Sequence, residues 1–257
     1  MKRIELSFQK NIRDLGGLTG YNGLKVKSGR IYRGGFLGHV NDQDVDIING
    51  LHLTDIVDFR GSYEFKNRPD YPFIGVTFHN FPSMKEDVKK EESKTEDSNL
   101  LWFLGDNTDG FLHMYNLYPD LLVTKEGILA LRKFFELLVS KPDGVFYFHC
   151  SQGKDRAGLA AYLLEIALGV SKEDAREDYL LSNIAMEIRA KYYVEKLHAE
   201  PFYNDVYEKA LFDVFSAKEE YLGHALEVIN EKYGSIENYI NDELHVDIPK
   251  LRALYLE

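Results

Sequence analysis

One stretch constrains the fold of this chain more than any other: the run Val145-Phe-Tyr-Phe-His149, a compact polar loop, and an apolar segment over residues 157–168 closed by Gly169. The run is short and bulky and reads as a buried strand, and the segment after the loop reads as a helix with no polar face. A buried strand that hands over to an apolar helix within a few residues limits the chain to mixed α/β architectures.

The remaining sequence arranges itself around that unit. Residues 4–8 alternate like a strand, residues 11–17 and 21–23 carry turn chemistry, and residues 26–33 read as a second strand broken at Ser28-Gly29. Asn41 is a helix cap before residues 42–49, Gly50 stops that helix, and residues 54–59 form a buried strand ending at Arg60. A further strand falls within residues 75–81. Residues 84–98 then carry four Lys and six Asp or Glu around a lone Val88, the pattern of a solvated face, and residues 100–104 and 111–123 are rich in large apolar side chains. Residues 84–123 therefore read as an insertion, a helical lid over a pocket being the second reading beside plain core. Thr124 caps a helix with apolar positions at three- and four-residue spacing, and residues 171–257 read as helical with short breaks. Nothing in the 257 residues repeats or looks like a linker, so one domain over 1–257 is expected.

Composition narrows the function. A single Cys cannot form an internal disulfide, and no signal-like or membrane-length apolar run is present, so a cytoplasmic protein with no membrane span is expected. The 42 acidic against 31 basic residues argue against a nucleic-acid partner. An anionic ligand must be met by a local positive site.

The loop His149-Cys-Ser-Gln-Gly-Lys-Asp-Arg156 supplies one. Between a strand and a helix, consecutive backbone N–H groups of Ser151, Gln152, Gly153 and Lys154 can turn inward around a tetrahedral anion such as inorganic phosphate, aided by the helix dipole. Gly153 permits backbone geometry that a Cβ would obstruct. Cys150 faces those donors, which favours its thiolate, the nucleophilic form. Arg156 can return across the loop and grip two phosphoryl oxygens with its planar fork.

Cys-x5-Arg in this setting resembles the signature of cysteine-dependent phosphatases, and His-Cys-x-x-Gly-Lys-Asp-Arg resembles the atypical bacterial tyrosine and phosphoinositide phosphatases. Asn11-x-Arg-Asp-Leu-Gly-Gly17, Ser28-Gly-Arg-x-Tyr-Arg33, Val57-Asp-Phe-Arg60 with Glu64, Arg68-Pro-Asp70 and Tyr233-Gly-Ser-Ile-Glu-Asn-Tyr239 extend the likeness along most of the chain outside 84–123. The resemblance implies a largely parallel twisted sheet flanked by helices. It also implies attack by Cys150 on phosphorus, a phosphocysteine that water hydrolyses, and no metal or cofactor. The substrate would be first of all a phosphotyrosine protein, with dual-specificity activity on phosphoserine and phosphothreonine or activity on a phosphoinositide beside it.

In that reading Arg156 holds the phosphoryl group, and Lys154 adds charge near the mouth, where it could meet an inositol phosphate. Asp155 is the first candidate for the general acid and Asp58 the second. Asp120 has suitable spacing but a setting like the start of a helix. His149 either tunes the thiolate from beneath the loop or is a satisfied core histidine. Arg13, Arg33 and Arg60 read as framework ion-pair partners of Asp14, Asp58 or Glu64. Most members place Thr or Ser after the Arg, where the hydroxyl assists the departing thiolate; this chain has Ala157. Two other functions use such a loop: a phosphate-reading module that turns over poorly, and a rhodanese-type sulfurtransferase with a persulfide on Cys150.

Overall fold

The computed structural model describes residues 2–85, 109–199 and 203–257. Along the chain, β1 (Arg3–Ile4), β2 (Ile12–Asp14) and β3 (Ile31–Gly34) precede α1 (Asp42–Asn49), β4 (Asp55–Asp58), α2 (Ser62–Asn67) and β5 (Thr77–Asn80). Then come α3 (Gly110–Val123), α4 (Lys125–Ser140), β6 (Phe146–His149) and α5 (Arg156–Leu168). The helical remainder comprises α6 (Lys172–Leu181), α7 (Asn183–His198), α8 (Asp205–Phe215), α9 (Glu219–Tyr233), helical turns at Ile236–Asn238 and Tyr239–Glu243, and α10 (Ile248–Tyr255).

The strands form one six-stranded sheet in the order β1-β2-β3-β6-β4-β5. The four strands from β3 to β5 run parallel, and β1 and β2 close one edge antiparallel. β6 is central and every one of its residues is buried, because helices and loops cover both faces. Phe146 and Phe148 point with Val57 into one core, where Phe134 of α4 stacks on Phe148 at 4.8 Å and on Phe59 at 5.5 Å. Tyr147 points the other way with Ile56 and Tyr32, against Ile48 of α1 and Leu53. Helix α5 lies within the first core and is buried on all sides, as its uniform apolarity requires, and Gly169 ends it in the left-handed conformation at φ 82°.

Several expectations need correction. Residues 4–8 pair only at Arg3–Ile4, and residues 11–17 contain a strand, β2, rather than turn chemistry alone. Residues 26–33 become a strand only from Ile31; Val26 instead bridges Leu256, with Lys25 and Glu257 exchanging backbone hydrogen bonds of 2.7 and 2.9 Å. Within the stretch expected as an insertion, residues 86–108 lie outside the described residues. The rest, α3, packs on α8 and α9, and Gly110 approaches the Ala210 backbone so closely that a Cβ would lie 2.3 Å from its carbonyl oxygen. Helices α7 and α8 enclose a small core of their own around Met186, Tyr193, Leu211 and Phe215. Among the described residues no helix is long and apolar enough to cross a membrane.

Candidate active site

The loop leaves β6 at the carboxyl edge of the parallel strands and runs into α5, where a crevice between strand ends is the usual place for a ligand. Its backbone is clamped from outside. The carbonyl of Ser151 accepts from Phe36 N–H at 3.2 Å, that of Gln152 from Asn11 Nδ2 at 3.0 Å, and that of Gly153 from Arg33 Nη2 at 2.9 Å. In a planar trans peptide the N–H points opposite to the C=O. Three consecutive carbonyls held outward therefore turn the N–H groups of Gln152, Gly153 and Lys154 to the loop's concave side. Gly153 sits at φ 72° against Gly34, where a Cβ would come within 2.2 Å of the Gly34 carbonyl carbon, so only glycine fits.

The clamp is itself anchored. Arg13 holds Asp178 of α6 in a two-point grip at 2.6 and 3.1 Å and donates to Asn11 Oδ1 at 2.7 Å; Arg33 pairs with the same carboxylate. Arg13 and Arg33 are framework residues as expected, but their partner is Asp178. Asp14 caps the backbone N–H groups of Gly16 and Gly29 instead. Glu165 of α5 is buried with neither carboxyl oxygen hydrogen-bonded, and burial together with the Asp178 charge pushes its carboxyl well above the usual range. Arg13 and Arg33 thus share the Asp178 carboxylate, with Glu165 buried beside them.

Cys150 is 1% exposed at the base of the loop. Arg156, at the first turn of α5, donates from Nη2 to Ser151 Oγ at 3.0 Å and lies 3.6 Å from Glu64 of α2, while Ser151 donates to Glu64 at 3.0 Å. Burial alone would lower the Arg156 pKa, but the Cys150, Glu64 and Asp155 charges more than offset it and raise it. Ser151 thus spans Glu64 and Arg156, and Ala157 behind it is fully buried. Lys154 is not at the mouth: its Nζ is buried and donates to the carbonyls of Val214 in the last turn of α8 and Ser216 at its C-cap, because a buried ammonium needs acceptors and that helix end offers them.

Asp155 keeps its side chain out of the capping of its own helix. Its Oδ1 instead accepts from the Tyr118 hydroxyl at 2.6 Å and lies 3.2 Å from Lys154 Nζ; the carboxylate remains 22% exposed. Asp58 is only 1% exposed, and Arg60 takes both of its oxygens through contacts of 2.7 to 3.0 Å, which removes it from the role of proton donor. Asp120 is exposed in the last turn of α3, not at a helix start.

Beneath Cys150, Arg60 also reaches Asp70 at 3.2 Å, and the His149 ring lies with Nδ1 3.0 Å from the Cys150 carbonyl and Nε2 3.2 Å from Asp70, at an angle outside that of a hydrogen bond. Burial would lower the His149 pKa, but Asp70 and Asp58 more than offset it and raise it to about 9. His149 is therefore an imidazolium at neutral pH, directed at the Cys150 carbonyl. Asp58, Asp70 and His149 bring their ligand atoms within 4.8 Å of one another, a set of metal-ligand types, yet Arg60 already pairs with both carboxylates. Beside the loop a groove of about 450 Å³ opens at Gln152 between Phe8 and Lys10 on one wall and Met186, Ile188 and Tyr192 of α7 on the other.

Sequence reasoning missed Asp178, Tyr118 and Tyr179. Asp178 lies in a charged run that reads as solvated, and Tyr118 lies in the stretch expected as an insertion.

A model of the tyrosine phosphatase family matches residues 4–257. A Cupriavidus necator protein that bears the provisional name tyrosine-protein phosphatase is 31% identical over 264 residues, covering 99% of this chain and 89% of its own. The triple specificity protein phosphatase PtpB of Mycobacterium tuberculosis is 25% identical over 243 residues, covering 84% of this chain and 86% of its own. The chain belongs to the tyrosine phosphatase family. It is a phosphoric monoester hydrolase.

Proposed function

We propose that the protein hydrolyses phosphomonoesters through a phosphocysteine on Cys150, with phosphotyrosine as its foremost substrate. The observation that carries this reading is the set of three outward-held carbonyls around a loop that joins Cys150 to Arg156. Sγ attacks phosphorus, Arg156 and the inward N–H groups hold the phosphoryl oxygens, and the leaving oxygen takes a proton from Asp155. Water then cleaves the S–P bond and regenerates the thiolate.

Two observations favour phosphotyrosine. Cys150 is 1% exposed, so the phosphoryl group must arrive on a stem long enough to reach the loop's base. The Lys154 ammonium is spent on the carbonyls of Val214 and Ser216, which deprives an inositol phosphate of the cation expected for it.

The test is steady-state phosphate release from a phosphotyrosine peptide and a soluble phosphoinositide side by side, with chelator present and Cys150→Ser as control. Sustained release, lost in the variant and faster on the peptide, is the expected result. Faster release from the lipid would reverse the substrate assignment. Ala157 favours a second reading, a phosphate-binding module with poor turnover; one phosphate trapped per chain without further release would select it.

A further inference from the structure

We propose that Tyr118 of α3 and Tyr179 of α6 are positioning residues for proton transfer, a two-phenol donor chain that ties down one oxygen of Asp155 and leaves the other to exchange the proton. The inference rests on Asp155 acting as the acid. Tyr118 has one hydroxyl proton, and its 2.6 Å contact with Asp155 Oδ1 uses it. In the 2.8 Å contact between the two phenols Tyr179 must then be the donor, so the chain runs from Tyr179 through Tyr118 to Oδ1. Both rings are fully buried, and their edge-to-face packing at 6.2 Å fixes the direction of the two hydroxyls.

The two oxygens of Asp155 differ in consequence. Oδ1 meets Tyr118 and, at 3.2 Å, Lys154, whereas among the described residues no hydrogen bond or ion pair engages Oδ2, and the side chain as a whole is 22% exposed. Proton transfer therefore runs through Oδ2. As the ester bond breaks, its electron pair goes to the leaving oxygen, which takes the Oδ2 proton. The charge left on the carboxylate is met at Oδ1 by a donor that Tyr179 polarises from behind. When water attacks the phosphocysteine, its proton returns to Oδ2, and the phenols transfer none themselves.

A third contact competes for the Tyr179 proton. Tyr179 lies 3.3 Å from the carbonyl of Lys218. That contact is much longer than the 2.8 Å between the phenols, so with Asp155 ionised or protonated on Oδ2 the Tyr179 proton goes to Tyr118. The groups acting on Asp155 are Lys154 and Arg156 from its own loop and helix, Tyr118, Tyr179, and Tyr221 of α9. Burial first and the Asp155 charge next push Tyr118 well above its ordinary value, so it remains a donor throughout the working pH range.

The test compares kcat/KM for phenyl phosphate, a poor leaving group, and 4-nitrophenyl phosphate, a good one, in Tyr118→Phe, Tyr179→Phe and Asp155→Asn. Because kcat/KM covers steps up to phosphocysteine formation, slow hydrolysis of the intermediate does not mask the effect. Tyr118→Phe should lose about tenfold on phenyl phosphate, as for one hydrogen bond to a charged group, and markedly less on 4-nitrophenyl phosphate. Its basic pH limb should move upward, because the carboxylate has lost a donor. Tyr179→Phe should shift both quantities in the same direction by less, and it keeps the test open if Tyr118→Phe does not fold. Equal losses on both esters with an unmoved limb would overturn the proposal and leave the phenols as packing. An Asp155→Asn variant without leaving-group dependence would overturn it at its premise, the role of Asp155, while sustained turnover would still support the cysteine mechanism.

Discussion

Ala157 and His149 show how single side chains set the rate and the stability of this site. The hydroxyl expected after Arg156 is absent, and Ser151 is already held between Glu64 and Arg156, so neither supplies a donor to the departing sulfur. Hydrolysis of the phosphocysteine should then limit turnover. Ala157→Ser is expected to raise kcat by about tenfold, the scale of one hydrogen bond to a charged group, and to shrink the pre-steady-state burst seen by rapid quench. His149 carries a stability signature. Its folded pKa is raised from 6.5 to about 9, so its contribution is fully present below pH 6.5 and fades as pH rises through about 9. Wild-type stability in urea should fall across that window from this source. His149→Gln should lose the dependence along with about 3 kcal/mol at neutral pH, because it strands Asp70 and Asp58 beside one remaining cation.

At the scale of elements, the loop from Cys150 to Arg156 depends on β2, β3 and α6 through the Arg13–Asp178–Arg33 cluster. Asp178→Asn keeps the shape but leaves two buried guanidinium groups without a carboxylate, at a cost of about 3–5 kcal/mol. Inorganic phosphate, followed as inhibition of turnover, should bind the variant more weakly, because Arg33 is no longer fixed beneath the Gly153 carbonyl. The elements that were legible in the sequence are those whose signal is local. Asn41 and Thr124 begin their helices and Gly169 ends one where expected, β6 is an apolar run apart from its terminal His, and β4 is an Ile-Val pair between two Asp. The loop from Cys150 to Arg156 was legible as a strand-to-helix connection because an apolar strand and an apolar helix flank it. β2 was hidden because two of its three residues are charged, and only the distant Asp178 explains how Arg13 can be buried. The position of Lys154 was misread for the same reason: its acceptors lie sixty residues along the chain, at Val214 and in the turn that follows.

Over the whole molecule, charge is distributed unevenly. The chain carries a formal net charge of −11, yet the walls of the groove beside the loop include Lys10 and no Asp or Glu. An anionic phosphopeptide is repelled at long range and welcomed only at close quarters. Raising ionic strength from about 10 to 150 mM shortens the screening length from about 30 to 8 Å. It should therefore increase kcat/KM for acidic phosphotyrosine peptides by about two- to fivefold while kcat stays level. A fall instead would mean that the local cations dominate at every distance.

The three outward-held carbonyls also have a consequence for how the enzyme fails. Their donors lie more than a hundred residues upstream of the loop they shape: Asn11 directly before β2 of the antiparallel edge, Arg33 on β3, and Phe36 in the turn after β3. β1 and β2 pair over only two residues, so that edge is among the first parts of the sheet to fray. Once it frays, Asn11 releases the Gln152 carbonyl, which is then free to turn inward and put partial negative charge where the phosphate must sit. Inactivation on gentle heating should therefore precede the loss of helix, and it should reverse on cooling, since the large core around α5 never opened.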